Sequence, residues 1–225
     1  MKIGRIEYLN LLPFFVFLKQ SPLTTATKQF AQSHHSYPAK LNMDYLFRRI
    51  DSGFISSFAA RKQRLSCAGI VGRGKVQSVL AIIGERGEDE QSATSNALLQ
   101  TLHINGRVLI GDRALVFYLA HDSSAFVDLA EAWFAKHRLP FVFGRFCYQT
   151  KSALHEKLAR HFVQTRVKIP HYLLTQASRQ TGIAPQHIRD YLCQIFYQIG
   201  AKERKSIRIF YTHCNAQRLR HCTRF

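Results

Sequence analysis

Small polar residues that could bind an anion recur where the sequence predicts strands to end and helices to begin. Asn10 follows the first predicted strand, and the pair Gly111-Asp112 ends a later one. In open α/β sheets ligands gather at the carboxyl ends of strands, and the free N–H groups of helix N-termini bind carboxylates. The pattern therefore predicts a cleft for a small anion, although the same residues also suit ordinary caps and turns. The complete set is Asn10, Ser56, Ser57, Ser78, Ser92, Thr94, Ser95, Gly111 and Asp112.

Familiar motifs for metal or nucleotide chemistry are missing from the sequence. The run from Gly72 to Lys75 looks like a phosphate-binding loop, but no GK[ST] follows it and the next residues have a strand pattern. We therefore expect a glycine turn there. His213-Cys214 and His221-Cys222 have no spacing that is typical of a zinc site. We predict no metal ligands.

The chain is strongly basic, with 32 Lys and Arg against 14 Asp and Glu, a net charge of +18 and an isoelectric point near 10.1. Such a field attracts nucleic acid, anionic lipid or acidic metabolites without choosing among them. Leu173 to Leu192 has the outline of a helix-turn-helix around Gly182, but its second helix is rather apolar for a groove reader. Antiparallel helices on a sheet give the same pattern, so DNA binding stays an alternative.

Length and composition indicate a globular protein. The 225 residues are 46% hydrophobic and 20% charged, which is enough to build a hydrophobic core, and no apolar run approaches the roughly 18 residues of a membrane span. The five cysteines are odd in number and scattered, and no CxxC occurs. This usage favours reduced thiols, and hence a cytoplasmic protein, over a disulfide framework.

The apolar stretch Tyr8 to Leu18 has two interpretations. It could be the centre of an export signal, but it contains Pro13 and a poor cleavage site follows it. The alternative is a strand from Lys2 to Tyr8, a turn at Leu9-Asn10, and a helix whose first turn holds Pro13, where proline fits. We favour the strand, turn and helix.

Strand and helix patterns alternate along the first two thirds of the chain, and helical patterns follow from Lys151 onward. The alternation predicts an α/β fold with a mainly parallel sheet. A helix is expected from Leu41 to Ile50, and another begins near Asp128. A smaller second lobe, if present, must be an insertion between two apolar strands. We predict that residues 1–83 and 144–225 form the first lobe and residues 84–143 the second, with the ligand cleft between them.

Seven segments occur along the chain in the order GRIEYLNLLPF, GFISSF, GIVGRGKVQSVL, SATSNALL, LIGDRAL, DLAEAW and LPFVFGRF. Together they resemble the chorismate dehydratase family of the futalosine route to menaquinone. The resemblance covers most of the chain and implies a two-lobed fold like that of the type II periplasmic binding proteins, used inside the cell. It implies that chorismate loses water to give 3-[(1-carboxyvinyl)oxy]benzoate, without a metal or organic cofactor and without a nucleic-acid or membrane partner. It leaves open whether the chain is a monomer or a homodimer.

The resemblance also implies roles for individual residues. Asn10 and Ser78 match the loop asparagine and the site serine of the family, and we assign them as the catalytic residues. Asn10 would position the reacting carboxylate, and the enolpyruvyl carboxylate of the substrate itself would accept the ring proton. Thr94 and Ser95 would hold the other carboxylate.

The remaining assignments are weaker. Arg145 stands where the family usually has a small or apolar residue, so it is either an extra carboxylate ligand or a surface residue. A sister enzyme of the pathway, which makes 1,4-dihydroxy-6-naphthoate, stays an alternative, as does a non-catalytic anion- or DNA-binding regulator. The predicted walls of the cleft are Ser56, Ser57, Gly111 and Asp112.

Overall fold

A computed structural model describes residues 1–64, 66–150 and 153–219. Ten α-helices and nine strands lie in this part of the chain. The strands are β1 Arg5–Ile6, β2 His35–Ser36, β3 Ser52–Ser56, β4 Ala68–Gly72, β5 Val79–Ile82, β6 Arg107–Ile110, β7 Phe126–Asp128, β8 Phe141–Tyr148 and β9 Ile195–Gln198. The helices are α1 Leu12–Gln20, α2 Thr25–Ser33, α3 Pro38–Leu46, α4 Ala93–Leu102, α5 Gly111–Ala120, α6 Leu129–His137, α7 Ala153–Gln164, α8 His171–Thr181, α9 Pro185–Leu192 and α10 Ala201–Ala216.

The two larger sheets are antiparallel. One has the strand order β3-β8-β4-β9 and the other the order β6-β5-β7, and every pairing within them is antiparallel. Among the described strands, only β1 and β2 pair in parallel, with isolated parallel bridges at Ile3–Ser52 and Gly87–Arg107. The predicted mainly parallel sheet is therefore wrong. The chain leaves the first sheet after β4, passes through the second sheet and α6, and returns through β8, which runs antiparallel to β4.

The chain passes between the two larger sheets twice. Residues 73–78 lead from β4 in the first sheet to β5 in the second, and residues 138–140 lead from α6 back to β8. The predicted lobe boundaries, after residues 83 and 143, thus fall just behind β5 and inside β8. The division into two lobes stays a prediction, and the sheets place its crossings a few residues earlier in the chain.

The apolar stretch at the N-terminus forms the predicted strand, turn and helix. The strand shortens to β1, a 3₁₀ turn covers Leu9–Leu11, and α1 begins with Pro13 in its first turn. Phe14 packs edge-on against Phe54 and Phe162, with ring centroids 4.9 and 5.0 Å apart. Aromatic contacts of this kind stabilise the core beyond the burial of their area. Helix α1 is thus part of the hydrophobic core that packs against the first sheet.

Other predicted elements shift at their ends. The helix expected from Leu41 to Ile50 is α3, Pro38–Leu46, and α6 begins directly after Asp128 as expected. The uniformly helical end that the sequence predicted is wrong at one point, because β9 lies between α9 and α10 and pairs with β4. Ile195, Phe196 and Tyr197 are branched or aromatic residues that fit a strand edge. No described helix is long and apolar enough to cross a membrane.

Candidate active site

A cavity of about 70 Å³ lies where the two larger sheets meet the 3₁₀ turn. Hydroxyl and amide groups face apolar side chains around it, and none of the described residues in its wall carries a charge. Six of the residues that the sequence predicted line it together. These are Asn10, Ser56, Ser78, Ser92, Ser95 and Gly111.

Asn10 lies in the middle of the 3₁₀ turn. Its backbone carbonyl accepts a hydrogen bond from the Tyr197 hydroxyl at 2.6 Å. Its side-chain oxygen Oδ1 is buried and has no hydrogen-bond partner among the described residues. A buried acceptor without a partner costs free energy, so such groups are often reserved for a ligand. The turn thus presents an unused acceptor at the cavity.

Ser78 ends the crossing from the first sheet to the second. Its backbone carbonyl accepts from the Gly111 N–H at 2.9 Å, and its Oγ accepts from the Tyr191 hydroxyl at 3.0 Å. The preceding residue, Gln77, has a φ of +62°, a conformation that residues other than glycine rarely adopt. The position of Ser78 is therefore fixed by contacts with the start of α5 and with α9.

The carboxylate of Asp128 holds the crossing in place. It is 3% exposed and accepts hydrogen bonds from Val76 N–H at 2.9 Å and Gln77 N–H at 2.7 Å, while its other oxygen caps α6 at Ala130 and Glu131. Burial raises the pKa of this carboxyl group, and the four backbone N–H groups oppose that shift. Asp128 thereby stabilises the unusual backbone at Gln77.

The N-terminus of α4 forms another wall of the cavity. Ser92 caps the helix by accepting from Ser95 N–H at 3.1 Å, and its hydroxyl donates to Ser95 Oγ at 2.7 Å. Both residues line the cavity. A helix N-terminus carries a partial positive charge, which favours a carboxylate beside these two serines.

A last contact joins the 3₁₀ turn to α5. Asp112 Oδ1 accepts from the Leu9 N–H at 3.0 Å, and burial raises the pKa of its carboxyl group to about 6. The preceding Gly111 has a φ of +66°, and a Cβ there would lie 2.8 Å from the Tyr8 ring. The Tyr8 hydroxyl in turn donates to Gln91 at 2.5 Å. The residues that follow β1 are therefore joined to the elements around the second sheet.

Comparison with known proteins shows to which family the sequence belongs. The family described as menaquinone biosynthesis matches residues 89–216, more than half of the chain. A chorismate dehydratase of Campylobacter jejuni is 38% identical over 223 residues, which cover 97% of this chain and all of that protein. The chain belongs to the chorismate dehydratase family.

Solved structures show the fold that this member of the chorismate dehydratase family adopts. An Archaeoglobus fulgidus protein matches with a TM-score of 0.68 at 13% identity and covers 97% of both chains. The periplasmic aliphatic sulphonate binding protein of Escherichia coli matches with a TM-score of 0.54 at 11% identity, over 98% of this chain and 94% of that one. The predicted α/β fold like that of the periplasmic binding proteins is confirmed.

Four residues assigned from the family resemblance lie outside the cavity wall. Thr94 is 1% exposed. Its hydroxyl is hydrogen-bonded to Ser56 Oγ at 2.6 Å and accepts from the Phe58 N–H at 3.0 Å. Ser57 is fully buried, and its Oγ has no partner among the described residues. Asp112 faces a neighbouring cavity that shares Tyr8 with the first one. Their assignment to substrate binding stays a prediction.

Arg145 is the fourth of these residues. It is 2% exposed in β8, and its guanidinium donates to the Ala60 carbonyl. It is therefore not a surface residue, and the alternative as a carboxylate ligand has no support from the cavity wall. Its strand lies between β3 and β4, and helices α4, α6 and α10 pack against it, in keeping with this burial.

Three residues near the site are absent from the sequence prediction. Tyr191 and Tyr197 come from the C-terminal segment, which reads as ordinary amphipathic helix, so no local signal marks them. Asp128 precedes a helix and looks like a simple cap, which it also is. Among the residues that the structure describes, no three His, Cys, Asp or Glu side chains cluster as they would around a metal ion. His221 and Cys222 lie outside those residues.

Proposed function

We propose that the protein is chorismate dehydratase, a hydro-lyase that converts chorismate to 3-[(1-carboxyvinyl)oxy]benzoate and water in menaquinone biosynthesis. The observation that carries the proposal is the similarity to the Campylobacter jejuni chorismate dehydratase along the whole of both chains. The uncharged cavity, with an unused amide oxygen at Asn10 and a hydroxyl at Ser78, supports it. The four described cysteines are free, which supports a cytoplasmic location.

The chemistry requires orientation more than a strong base. The ring carbon that carries the ether loses its proton to the enolpyruvyl carboxylate of the substrate. The C4 hydroxyl then leaves with a proton as water, and the ring becomes aromatic. Because aromatisation drives the reaction, the protein has to hold the carboxylate against the C–H bond. Such positioning is worth roughly 7–11 kcal/mol of the barrier.

Three polar side chains of the cavity wall each have a role in this reaction. The Nδ2–H groups of Asn10 position the reacting carboxylate, because only the amide N–H can donate to it, and Oδ1 accepts from a hydroxyl group of the substrate. Ser78 donates a hydrogen bond to a carboxylate oxygen. Ser95 and the N-terminus of α4 hold the second carboxylate. A single well-placed donor contributes about 2.7–4 kcal/mol to a transition state of this type.

Substrate entry requires the cavity to widen. Small-molecule pockets usually measure roughly 300–1,000 Å³, whereas this cavity encloses about 70 Å³. Three hydrogen bonds link elements around it: Ser56–Thr94, Tyr8–Gln91 and Leu9–Asp112. We infer that these contacts break when chorismate enters and form again around it.

The sister enzyme is the less supported alternative. It is expected to use a catalytic histidine, and none of the described residues in the cavity wall is a histidine. A non-catalytic regulator would bind chorismate without changing it. No observation on the site favours a DNA partner, although α8 and α9 form the predicted helix pair around Gly182.

The test is ultraviolet monitoring of chorismate mixed with the purified protein, with chromatography to identify the product. We expect the aromatic enolpyruvyl benzoate to appear in catalytic amounts. If chorismate stays unchanged with protein in excess, the proposal is refuted. Calorimetric titration with chorismate then distinguishes a regulator, which binds, from an enzyme of a different substrate, which does not.

A further inference from the structure

Tyr191 lies behind Ser78, one of the two residues that the proposed function places in catalysis. Its side chain is 1% exposed and does not line the cavity. Its hydroxyl donates to Ser78 Oγ at 3.0 Å. The two residues are 113 positions apart in sequence. The phenol therefore links α9 to the residues that cross between the two larger sheets.

The direction of this hydrogen bond decides what Ser78 can offer a ligand. A phenol has one proton, and Tyr191 gives it to Ser78 Oγ. Because that oxygen already accepts, the Ser78 hydroxyl keeps its own proton for a ligand.

Burial raises the pKa of the Tyr191 phenol well above its ordinary value. The phenol therefore stays neutral at physiological pH and keeps the proton that it donates to Ser78. Chains of hydrogen bonds polarise one another in a medium of low dielectric constant. A donor at Tyr191 thus makes the Ser78 hydroxyl a better donor toward the cavity.

We propose that Tyr191 is a positioning residue, which fixes the Ser78 hydroxyl as a donor toward the substrate. This inference rests on the proposed function of the cavity. Tyr197, from the neighbouring β9, contacts the other catalytic residue by donating to the backbone carbonyl of Asn10 at 2.6 Å. The C-terminal segment, of which only Ile195 lies in the described cavity wall, thereby contacts both catalytic residues.

The decisive variant is Tyr191→Phe, which removes one oxygen and keeps the ring. We expect kcat to fall at least about tenfold, with KM changing less than about threefold, because the carboxylate still binds while its orientation is lost. The matched control is Tyr45→Phe, a tyrosine that is also 1% exposed and donates to Gln63 at 3.2 Å. Tyr45 touches neither catalytic group, so Tyr45→Phe should keep wild-type kcat.

A second measurement separates positioning from general stability. Ser78→Ala is made in the wild type and in Tyr191→Phe, and thermal unfolding of each variant is followed by circular dichroism. The two substitutions should be strongly non-additive in kcat, since both remove the hydrogen bond between Tyr191 and Ser78. If Tyr191→Phe is unfolded at the assay temperature, the series is repeated at a lower temperature in sucrose, which stabilises compact states.

The outcomes are distinct. A wild-type kcat in folded Tyr191→Phe, or equal losses in Tyr191→Phe and Tyr45→Phe, would overturn the positioning role and leave the proposed function standing. A wild-type protein that never converts chorismate would overturn both.

Discussion

Replacement of Asn10 by alanine should separate catalysis from folding. The Asn10 oxygen Oδ1 is buried without a partner, and the backbone carbonyl keeps its hydrogen bond to Tyr197 whatever the side chain is. An unpaired buried acceptor costs about 1–3 kcal/mol, so its removal offsets the loss of the packing that the side chain provides. We therefore expect the free energy of unfolding of Asn10→Ala to stay within about 1 kcal/mol of the wild-type value.

Turnover should respond in the opposite way. Without the amide, the reacting carboxylate loses its orientation, and kcat for chorismate should fall at least about 100-fold, which corresponds to about 2.7 kcal/mol in the barrier. Product formation is followed by ultraviolet absorbance, and unfolding by urea titration of the same samples. A large loss of turnover together with little loss of stability is the result expected for a residue that acts in catalysis and not in folding.

Asn96→Ala is the matched control, because its amide is fully engaged in structure. Asn96 Oδ1 accepts from the Asp89 N–H at 3.0 Å, and its Nδ2 donates to the Asp89 carbonyl at 2.8 Å. This variant should lose about 1–3 kcal/mol of stability and keep its turnover when folded. The reasoning is refuted if Asn10→Ala retains wild-type kcat, or if it loses as much stability as Asn96→Ala.

Three further predictions concern the contacts that hold the site. Asp112→Asn keeps the acceptor for Leu9 but removes a carboxyl group whose pKa is raised from 3.8 to about 6; the favourable contribution of that group is complete below pH 3.8 and lost as the pH rises through about 6. Urea titrations should therefore show the variant gaining stability over wild type across that window, and a constant difference would contradict this. Gly111→Ala should lose at least about 1 kcal/mol more than Gly182→Ala, since both have positive φ but only Gly111 meets a neighbour, the Tyr8 ring; equal losses in thermal unfolding would refute the collision. Asp128→Ala should destabilise the protein by at least about 3 kcal/mol in urea titration, since four backbone N–H groups lose their acceptor; a loss below about 1 kcal/mol would show that water replaces the carboxylate.

Local patterns in the sequence were sufficient to predict much of the N-terminal half. Pro13 before a run of phenylalanines predicts a helix start, and α1 begins there. Ser92 predicts a helix cap, and its side chain accepts from Ser95 N–H. These features depend on neighbours within a few residues, so the sequence contains them directly.

Strand direction could not be predicted in the same way. Alternating strands and helices predict parallel crossovers, yet β3 and β4 are separated by β8, which comes from much later in the chain. Arg145 shows the same limit, since a charged residue in an apolar strand reads as exposed or ligand-binding until its strand is known to be central. Tyr191 is a third case, because its partner Ser78 is 113 residues away. Each depends on long-range pairing, which local periodicity does not encode.

The proposed mechanism explains why a protein of net charge +18 has an uncharged cavity. The positive field of the whole surface attracts a dicarboxylate from solution, so the cavity itself needs no cation for capture. A cation within about 4–6 Å of a carboxylate lowers its pKa by about 1–3 units. Such a group beside the enolpyruvyl carboxylate would bind the substrate more tightly and would weaken the base that removes the ring proton. Hydroxyl and amide groups orient the same carboxylate with less loss of its basicity. The distribution of charge therefore separates attraction, which the surface provides, from orientation, which Asn10 and Ser78 provide.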